Sequence, residues 1–291
     1  MEFVVHTSPG GGTDILARVT ADILTRNKWI TQPINVSNRP GGGGAIAYGY
    51  VKNKRGDPHV LMAVASLTML TVGLRPDLQL GPEHYTPIAF LAQDPQALMV
   101  NIDAPYKTFK EFLEAVKAKP DSLVFSSGGL YGATHLPLAY LEKVTGPIKV
   151  RHLPTNGGGP AITAALGNNA QLTAQSTSAT LQHIKAGKLR PLASYGATRS
   201  KVLPDVPTFK ELGFDVEYYL WVGIFAPKAT PAPIVATLSS AIEKAANSDV
   251  FKTALTNAGQ ELAYLNGPDF QKFWDADGKK TDEAVVYIGK Q

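Results

Sequence analysis

Two similar glycine-rich turns most constrain what this chain can fold into. The first reads His6-Thr-Ser-Pro-Gly-Gly-Gly-Thr-Asp14 and the second Ser126-Ser-Gly-Gly-Leu-Tyr-Gly-Ala-Thr-His135. Each joins an apolar strand to a segment with helical spacing of its apolar residues. Glycine permits a tight turn and a close approach to a ligand, and a helix N-terminus offers unpaired N–H groups and partial positive charge. The turns therefore predict two anion-binding loops that close on one negatively charged molecule.

The first turn predicts ligand contacts through the backbone. Gly10, Gly11 and Gly12 present N–H groups, and Thr13 or Asp14 is predicted to cap the following helix. Because an acidic cap opposes a bound anion, Asp14 suits a structural role better than a ligand contact. It nevertheless stays among the candidate ligand-binding residues.

The second turn adds side-chain donors to the backbone ones. Hydroxyls come from Ser126, Ser127 and Thr134, and Tyr131 is placed to cover or stack on a ligand. His135 starts the next helix and serves either as a packed or capping residue or as a ligand contact. The full set of candidates here is Ser126, Ser127, Tyr131, Gly132, Ala133, Thr134 and His135.

Two further glycine-rich loops follow strands. Gly41–Gly44 favours a tight strand-to-helix crossing over ligand contact. In the second, Leu153–Pro160, Thr155 and Asn156 are candidate donors at the rim of a site, next to Gly157 and before a helix that starts near Pro160.

Composition excludes several function classes. The chain has 291 residues, enough for one large domain or two ordinary ones. Its net charge of +4 comes from scattered Lys and Arg rather than a basic stripe, so nucleic acid is not an expected partner. It has no cysteine, which excludes disulfides and thiolate sites. No apolar run is long enough to span a membrane.

The order of elements indicates an α/β fold. Strand-like runs alternate with helical patterns, which predicts parallel or mixed sheets covered by helices. Ile88–Leu91 and Leu98–Asn101 are predicted as separate strands. Thr108–Glu111 forms a capping box, and Thr230-Pro231 predicts a helix start.

Enzyme motifs do not occur in the sequence. It contains no G-x-S-x-G, H-E-x-x-H or P-loop pattern, and its six histidines lack metal-ligand spacing. No paired carboxylates cluster at the glycine turns. Loops with many neutral donors and few bases suit binding better than catalysis, so neither enzymatic activity, a metal nor a cofactor is expected.

Ordered motifs along the whole chain resemble those of one family. These motifs are Val4–Asp14, Asn38–Ala45, Ser127–Leu136, Ile184–Arg190, Leu203–Gly213 and Trp221–Pro227. In this order they resemble the substrate-binding proteins of tripartite tricarboxylate transporters, the Bordetella-uptake-gene or TctC-like family. Each motif is weak alone, and their succession is specific.

The resemblance implies a two-lobed periplasmic-binding-protein fold of type II, the Venus-flytrap fold. One lobe would contain residues 1–101 and 222–291 and the other residues 102–221, with hinges near 100–104 and 218–222. A small organic carboxylate, either a dicarboxylate or an aromatic carboxylate, would bind between the lobes and pass to membrane transporter subunits. The protein is expected to be monomeric and periplasmic, although the chain begins on a strand without a signal-peptide pattern, which alone leaves the compartment open.

The resemblance also extends the candidate site. Ser8–Asp14 match one ligand-gripping loop of the family, Ser126–His135 match the other, and Ser66 matches a pocket-lining position. The His6-Thr7-Ser8 run departs from the family pattern and adds Thr7 and Ser8 as donors. Thr155-Asn156 stand where the family has Tyr-Lys, so the identity of the ligand stays open.

Two alternative functions remain. An enzyme on the same fold would use His135 as its base, and a ligand-sensing protein would dock on a signalling partner instead of a transporter. Loss of ligand turnover in His135→Ala would identify the first, and binding to a sensor kinase the second.

Overall fold

The computed structural model describes residues 1–10, 12–65, 76–155 and 157–289. Within these ranges the strands are β1 (Glu2–Val5), β2 (Asn35–Asn38), β3 (Val60–Ala65), β4 (Tyr85–Asn101), β5 (Val124–Ser127), β6 (Arg151–Pro154), β7 (Leu172–Ser176), β8 (Leu189–Ser194), β9 (Tyr219–Pro227) and β10 (Glu261–Asn266). The α-helices are α1 (Gly12–Arg26), α2 (Ala45–Lys52), α3 (Phe109–Ala118), α4 (Leu136–Thr145), α5 (Gly158–Leu166), α6 (Thr177–Lys185), α7 (Ala232–Asn247), α8 (Asp249–Ala258) and α9 (Gly267–Ile288).

The chain forms two compact units. The first contains Met1–Gln93 and Trp221–Thr281, and the second contains Asp94–Leu220 and the segment from Asp282. The sequence placed the divisions at 101/102 and 221/222 and assigned the C-terminal residues to the first lobe. The predicted hinge positions stay predictions.

The first unit is a mixed sheet with both faces buried. β1 pairs in parallel with β2 and β3, β3 pairs antiparallel with β9, and β10 pairs antiparallel with β4. Along β1, Phe3 and Val5 pack with α1, α7 and α8, whereas Val4 packs in a second core that contains Tyr48 and Trp274. Alternate side chains thus enter opposite cores, as expected where helices cover both faces of a sheet.

The second unit also combines parallel and antiparallel strand pairs. β5 pairs in parallel with β6 and β7, and β4 pairs antiparallel with β7 and β8. Phe112 of α3 and Phe125 of β5 are fully buried. The register sets Phe125 opposite His152 and Ser127 opposite Pro154, so β5 and β6 end side by side. The turns that follow them therefore start next to each other.

The predicted alternation of strands and helices is confirmed, with three corrections. The two strands predicted within residues 88–101 form the single strand β4. β10 was not predicted. Thr230 does not cap α7, because its hydroxyl donates to the Pro227 carbonyl and Pro231 occupies the N-cap position. The predicted cap at Thr108 is confirmed, since its hydroxyl accepts the Glu111 N–H at 3.2 Å.

Candidate functional site

The first donor loop, residues 6–14, connects β1 to α1. Gly10 adopts the left-handed conformation, with φ of 84°, which favours glycine. The helix begins at Gly12, so the predicted cap at Thr13 or Asp14 is wrong: both lie inside the first turn and are buried. The helix starts earlier than predicted because Gly12 already belongs to its first turn.

Asp14 organises this loop. Its Oδ2 accepts the Gly10 N–H at 2.9 Å and the Arg18 Nε–H at 3.0 Å, and its Oδ1 accepts from Asn38 Nδ2 at 2.8 Å. Asn38 Nδ2 also donates to the Thr7 carbonyl at 3.0 Å. Burial alone would raise the pKa of Asp14, but the hydrogen bonds from Arg18, Gly10 and Asn38 outweigh it and lower the pKa. The carboxylate is therefore ionised and occupied by the loop itself.

The other candidates of the first loop differ in exposure. Ser8 and Gly10 are exposed, and the Thr7 hydroxyl is buried with no hydrogen-bond partner among the described residues. Gly11 and the predicted pocket residue Ser66 lie outside the described residues. Thr7 and Ser8 thus follow directly on the buried strand β1, and their ligand contacts stay a prediction.

The second donor loop, residues 127–135, connects β5 to α4, and protein groups already engage its hydroxyls. Ser127 Oγ donates to the Gly129 carbonyl at 3.0 Å, and Thr134 Oγ1 accepts the Gly128 N–H at 2.7 Å. Just before the loop, Ser126 Oγ donates to the Ala161 carbonyl at 2.9 Å. Ser126 and Ser127 therefore use their hydroxyl protons within the protein, whereas the bond of Thr134 uses its oxygen as an acceptor and not its proton.

Tyr131 and His135 shape the middle of this loop. Tyr131 has φ of 59°, an unusual left-handed conformation for a tyrosine. Its N–H donates to His135 Nδ1 at 3.1 Å. The Gly132 N–H donates to the Gly129 carbonyl at 3.2 Å, and Ala133 supplies the carbonyl that accepts from Gln96 Nε2 at 3.1 Å. Hydrogen bonds within the loop and one from Gln96 of β4 thus hold the loop in this conformation.

The third loop, residues 155–159, packs on the second loop through backbone atoms of glycine residues. Thr155 Oγ1 lies 3.0 Å from the Ser127 carbonyl and 2.8 Å from the Gly157 carbonyl, and its single proton is shared between these two acceptors. A Cβ on Gly128 would lie 2.8 Å from both Gly157 C and Gly158 N, so only glycine fits there. α5 begins at Gly158, two residues before the predicted start, and Asn156 lies outside the described residues. The N–H groups of its first turn have no acceptor within the helix.

The sequence analysis missed His152 as a member of this site. Its ring stacks on His135 with centroids 3.9 Å apart and planes 16° apart, and its Nε2 lies 2.7 Å from Ser127 Oγ. Burial lowers the pKa of His152. Burial and the neighbouring His152 lower the pKa of His135 to about 3. Both imidazoles are neutral at neutral pH. The position of His152 on β6, two residues before the strand ends, is the one sequence signal that it faces the loop.

The Gly41–Gly44 loop forms the tight connection from β2 to α2 that the sequence favoured. Gly44 has φ of 97°, and a Cβ there would lie 2.6 Å from the buried Tyr48 ring. Tyr48 in turn stacks on His6 with centroids 6.0 Å apart. Burial lowers the pKa of His6 to about 4, so this imidazole is neutral as well.

The three loops contain no charged side chain apart from Asp14, whose carboxylate already accepts three hydrogen bonds. Residues 6–14, 127–135 and 155–159 contain no lysine or arginine. Across the described ranges, no three His, Cys, Asp or Glu side chains come together as a metal site. In the same part of the chain, no helix is both long and apolar enough to cross a membrane. The second and third loops, which pack on each other, can offer backbone N–H groups to an anion.

Buried neutral histidines predict a loss of stability in acid. The pKa values of His6 and His135 lie below the value of about 6.5 for an unfolded chain, so the unfolded state takes up protons first. The free energy of unfolding should therefore fall as the pH drops below 6.5. Each imidazole should contribute a loss of about 2 kcal/mol between pH 7 and pH 5. Urea denaturation of His135→Leu should show a correspondingly smaller pH effect than wild type, whereas His59→Gln, at an exposed position, should match wild type. An equal loss in His135→Leu and wild type would contradict the assignment.

Comparisons with known proteins identify relatives over nearly the whole chain. The family described as tripartite tricarboxylate transporter family receptor matches residues 16–289. A Cupriavidus necator protein, described as a UPF0065 protein in the gbd 5′ region, is 31% identical over 287 residues, which cover 98% of this chain and 86% of the relative. Two Rhodopseudomonas palustris structures are similar in fold. One, solved with adipate, is 26% identical with a TM-score of 0.88 and covers 99% of this chain and 97% of that one. The other, MatC with bound malate, is 27% identical with a TM-score of 0.84 and covers 98% of each chain.

Proposed function

This chain belongs to the tripartite tricarboxylate transporter receptor family, and we propose from that premise that it captures a small organic carboxylate and delivers it to membrane transporter subunits. As a member of this family it is a solute-binding protein and not an enzyme, and it has the two-lobed fold of periplasmic solute-binding proteins. The observation that carries the proposed ligand class is the packing of the second loop against Gly157 and Gly158 at the start of α5, where the N–H groups of the first helical turn have no acceptor within the helix. A carboxylate forms strong charge-assisted bonds with such groups.

The geometry supports an anion rather than a cation as the ligand. The second and third loops meet at the end of β5 and β6, and the first turn of α5 adds a helix N-terminus to them. Oriented amides stabilise negative charge without a lysine or arginine. The carboxylate of Asp14, the one acidic side chain of these loops, is occupied by three donors and does not repel the ligand as a free acid would. That the loops of both units contact the same ligand stays a prediction.

The related structures favour a particular ligand class. Two neighbours hold malate and adipate, both dicarboxylates. We infer that this chain binds a dicarboxylate or an aromatic carboxylate, with Tyr131 beside the aromatic part in the latter case. We also infer a periplasmic location, because one solved neighbour is described as a periplasmic binding protein. The monomeric state stays a prediction.

A sensing role shares the same ligand site and differs only in the docking partner. An enzyme would need a base beside the loops, and His135 does not fit that role. Its Nδ1 already accepts the Tyr131 N–H, and its pKa of about 3 leaves it a weak base.

A thermal-shift panel of organic acids tests the proposed ligand class. A carboxylate present at about 100 times its dissociation constant should stabilise the protein by about 2.7 kcal/mol. We expect malate, adipate or an aromatic acid to raise the melting temperature, while the matched amides, which lack the negative charge, leave it unchanged. A rise with the amides equal to that with the acids would contradict carboxylate recognition.

A further inference from the structure

His152 lies beside the second donor loop and contacts both of its ends. Its Nε2 lies 2.7 Å from Ser127 Oγ, where the loop starts. Its ring stacks on His135, where the loop ends, at 3.9 Å between centroids. His135 Nδ1 in turn accepts the N–H of Tyr131 at the middle of the loop. One imidazole on a neighbouring strand thus connects the start, the middle and the end of the loop.

The sheet fixes the position of His152 itself. His152 is paired with Phe125 in the parallel register of β5 and β6. The two rings stack with centroids 5.8 Å apart and planes 29° apart. Phe125 is fully buried. His152 therefore joins a rigid strand pair to a loop that depends on side-chain bonds for its shape.

The hydrogen bonds also assign the protons of the stacked pair. Ser127 Oγ donates its single proton to the Gly129 carbonyl at 3.0 Å, so His152 Nε2 is the donor to Ser127. His135 accepts on Nδ1, so its proton lies on Nε2. Burial lowers the pKa of both groups, which keeps these bonds in place at neutral pH.

We propose that His152 is a positioning residue that holds the second donor loop in its ligand-binding conformation through Ser127 and His135. The inference rests on the proposed function, because the loop is taken to bind a carboxylate. The left-handed Tyr131 marks the part of the loop that most needs support, since this conformation is unfavourable for a side chain larger than glycine.

Three substitutions separate the two contacts of His152. His152→Ala removes both, His152→Phe keeps a ring for the stack, and His152→Gln keeps an amide donor near Ser127. With adipate as the probe in isothermal titration, we expect His152→Ala to bind at least tenfold more weakly and the other two to recover part of that loss. His183→Gln in α6, which has no described contact with the loop, serves as the control and should match wild type. The proposal would be overturned if His152→Ala bound adipate with an affinity within twofold of wild type. It would also be overturned if His152→Phe recovered the full affinity, because packing of the ring alone would then suffice.

Amide hydrogen exchange of the ligand-free protein tests the same proposal without a ligand. The Tyr131 N–H should exchange at least tenfold faster in His152→Ala than in wild type, while buried amides of β5 keep their protection. Unchanged Tyr131 exchange would overturn the positioning role. If wild type binds no acid of the panel, the proposed function fails, and this exchange measurement still decides the role of His152.

Discussion

Gly128→Ala is expected to weaken carboxylate binding at least tenfold and to lower the free energy of unfolding by about 1–3 kcal/mol, the range of overpacked cores. The added Cβ would lie 2.8 Å from Gly157 C and Gly158 N, and both are backbone atoms that cannot rotate away. The second and third loops must therefore separate, which moves the N–H groups of both. Isothermal titration with adipate and urea denaturation measure the two effects.

Gly159→Ala is the matched control for stability. Gly159 is the second residue of α5, directly after Gly158, and a Cβ at this position would meet no atom within 4 Å. Because alanine favours a helix over glycine, this variant should be as stable as wild type or up to about 1 kcal/mol more stable. Equal stability of Gly128→Ala and Gly159→Ala would show that the loops do not depend on their close backbone approach.

Asp14→Ala should lower the free energy of unfolding by about 2–4 kcal/mol, because it removes a buried carboxylate that three donors share. The substitution releases Gly10 from the start of α1, and Asn38 keeps only its bond to the Thr7 carbonyl as a tie between β2 and the first loop. We expect the affinity for adipate to fall together with the free energy of unfolding. Urea denaturation and titration of the same sample report both losses.

Asp22→Ala provides the comparison on the same helix. Asp22 pairs with Arg26 at the same spacing as Asp14 with Arg18, but its side chain is 49% exposed against 3% for Asp14. Exposed pairs of this kind contribute at most about 0.5 kcal/mol. A similar loss for both variants would mean that burial of Asp14 and its bonds to the loop are unimportant.

The sequence predicted the alternation of strands and helices well and the course of β4 poorly. Ile88–Leu91 and Leu98–Asn101 were predicted as two separate strands, and Pro95 lies in the segment between them. In the structure Gln93 is the last residue of β4 that pairs with β10, and Gln96 the first that pairs with β7. Pro95, which has no N–H to donate, lies between these two ladders. Local preference could not reveal that the strand changes partners at this point.

Both glycine turns were predictable, whereas the roles of their side chains were not. A serine after a strand has the same sequence pattern whether its hydroxyl faces a ligand or a neighbouring carbonyl. Ser126 and Ser127 both donate within the protein. His152 escaped notice because its partners, Ser127 and His135, are distant in the chain and meet it only through the pairing of β5 with β6.

Isothermal titration of adipate, malate and an aromatic acid into wild type and Gly128→Ala tests most directly whether the loops bind a carboxylate. We predict saturable one-to-one binding of at least one of these acids to wild type, and at least tenfold weaker binding of the same acid to a Gly128→Ala protein whose circular dichroism spectrum is unchanged. Equal affinity of the two proteins would contradict the assignment of the site to these loops.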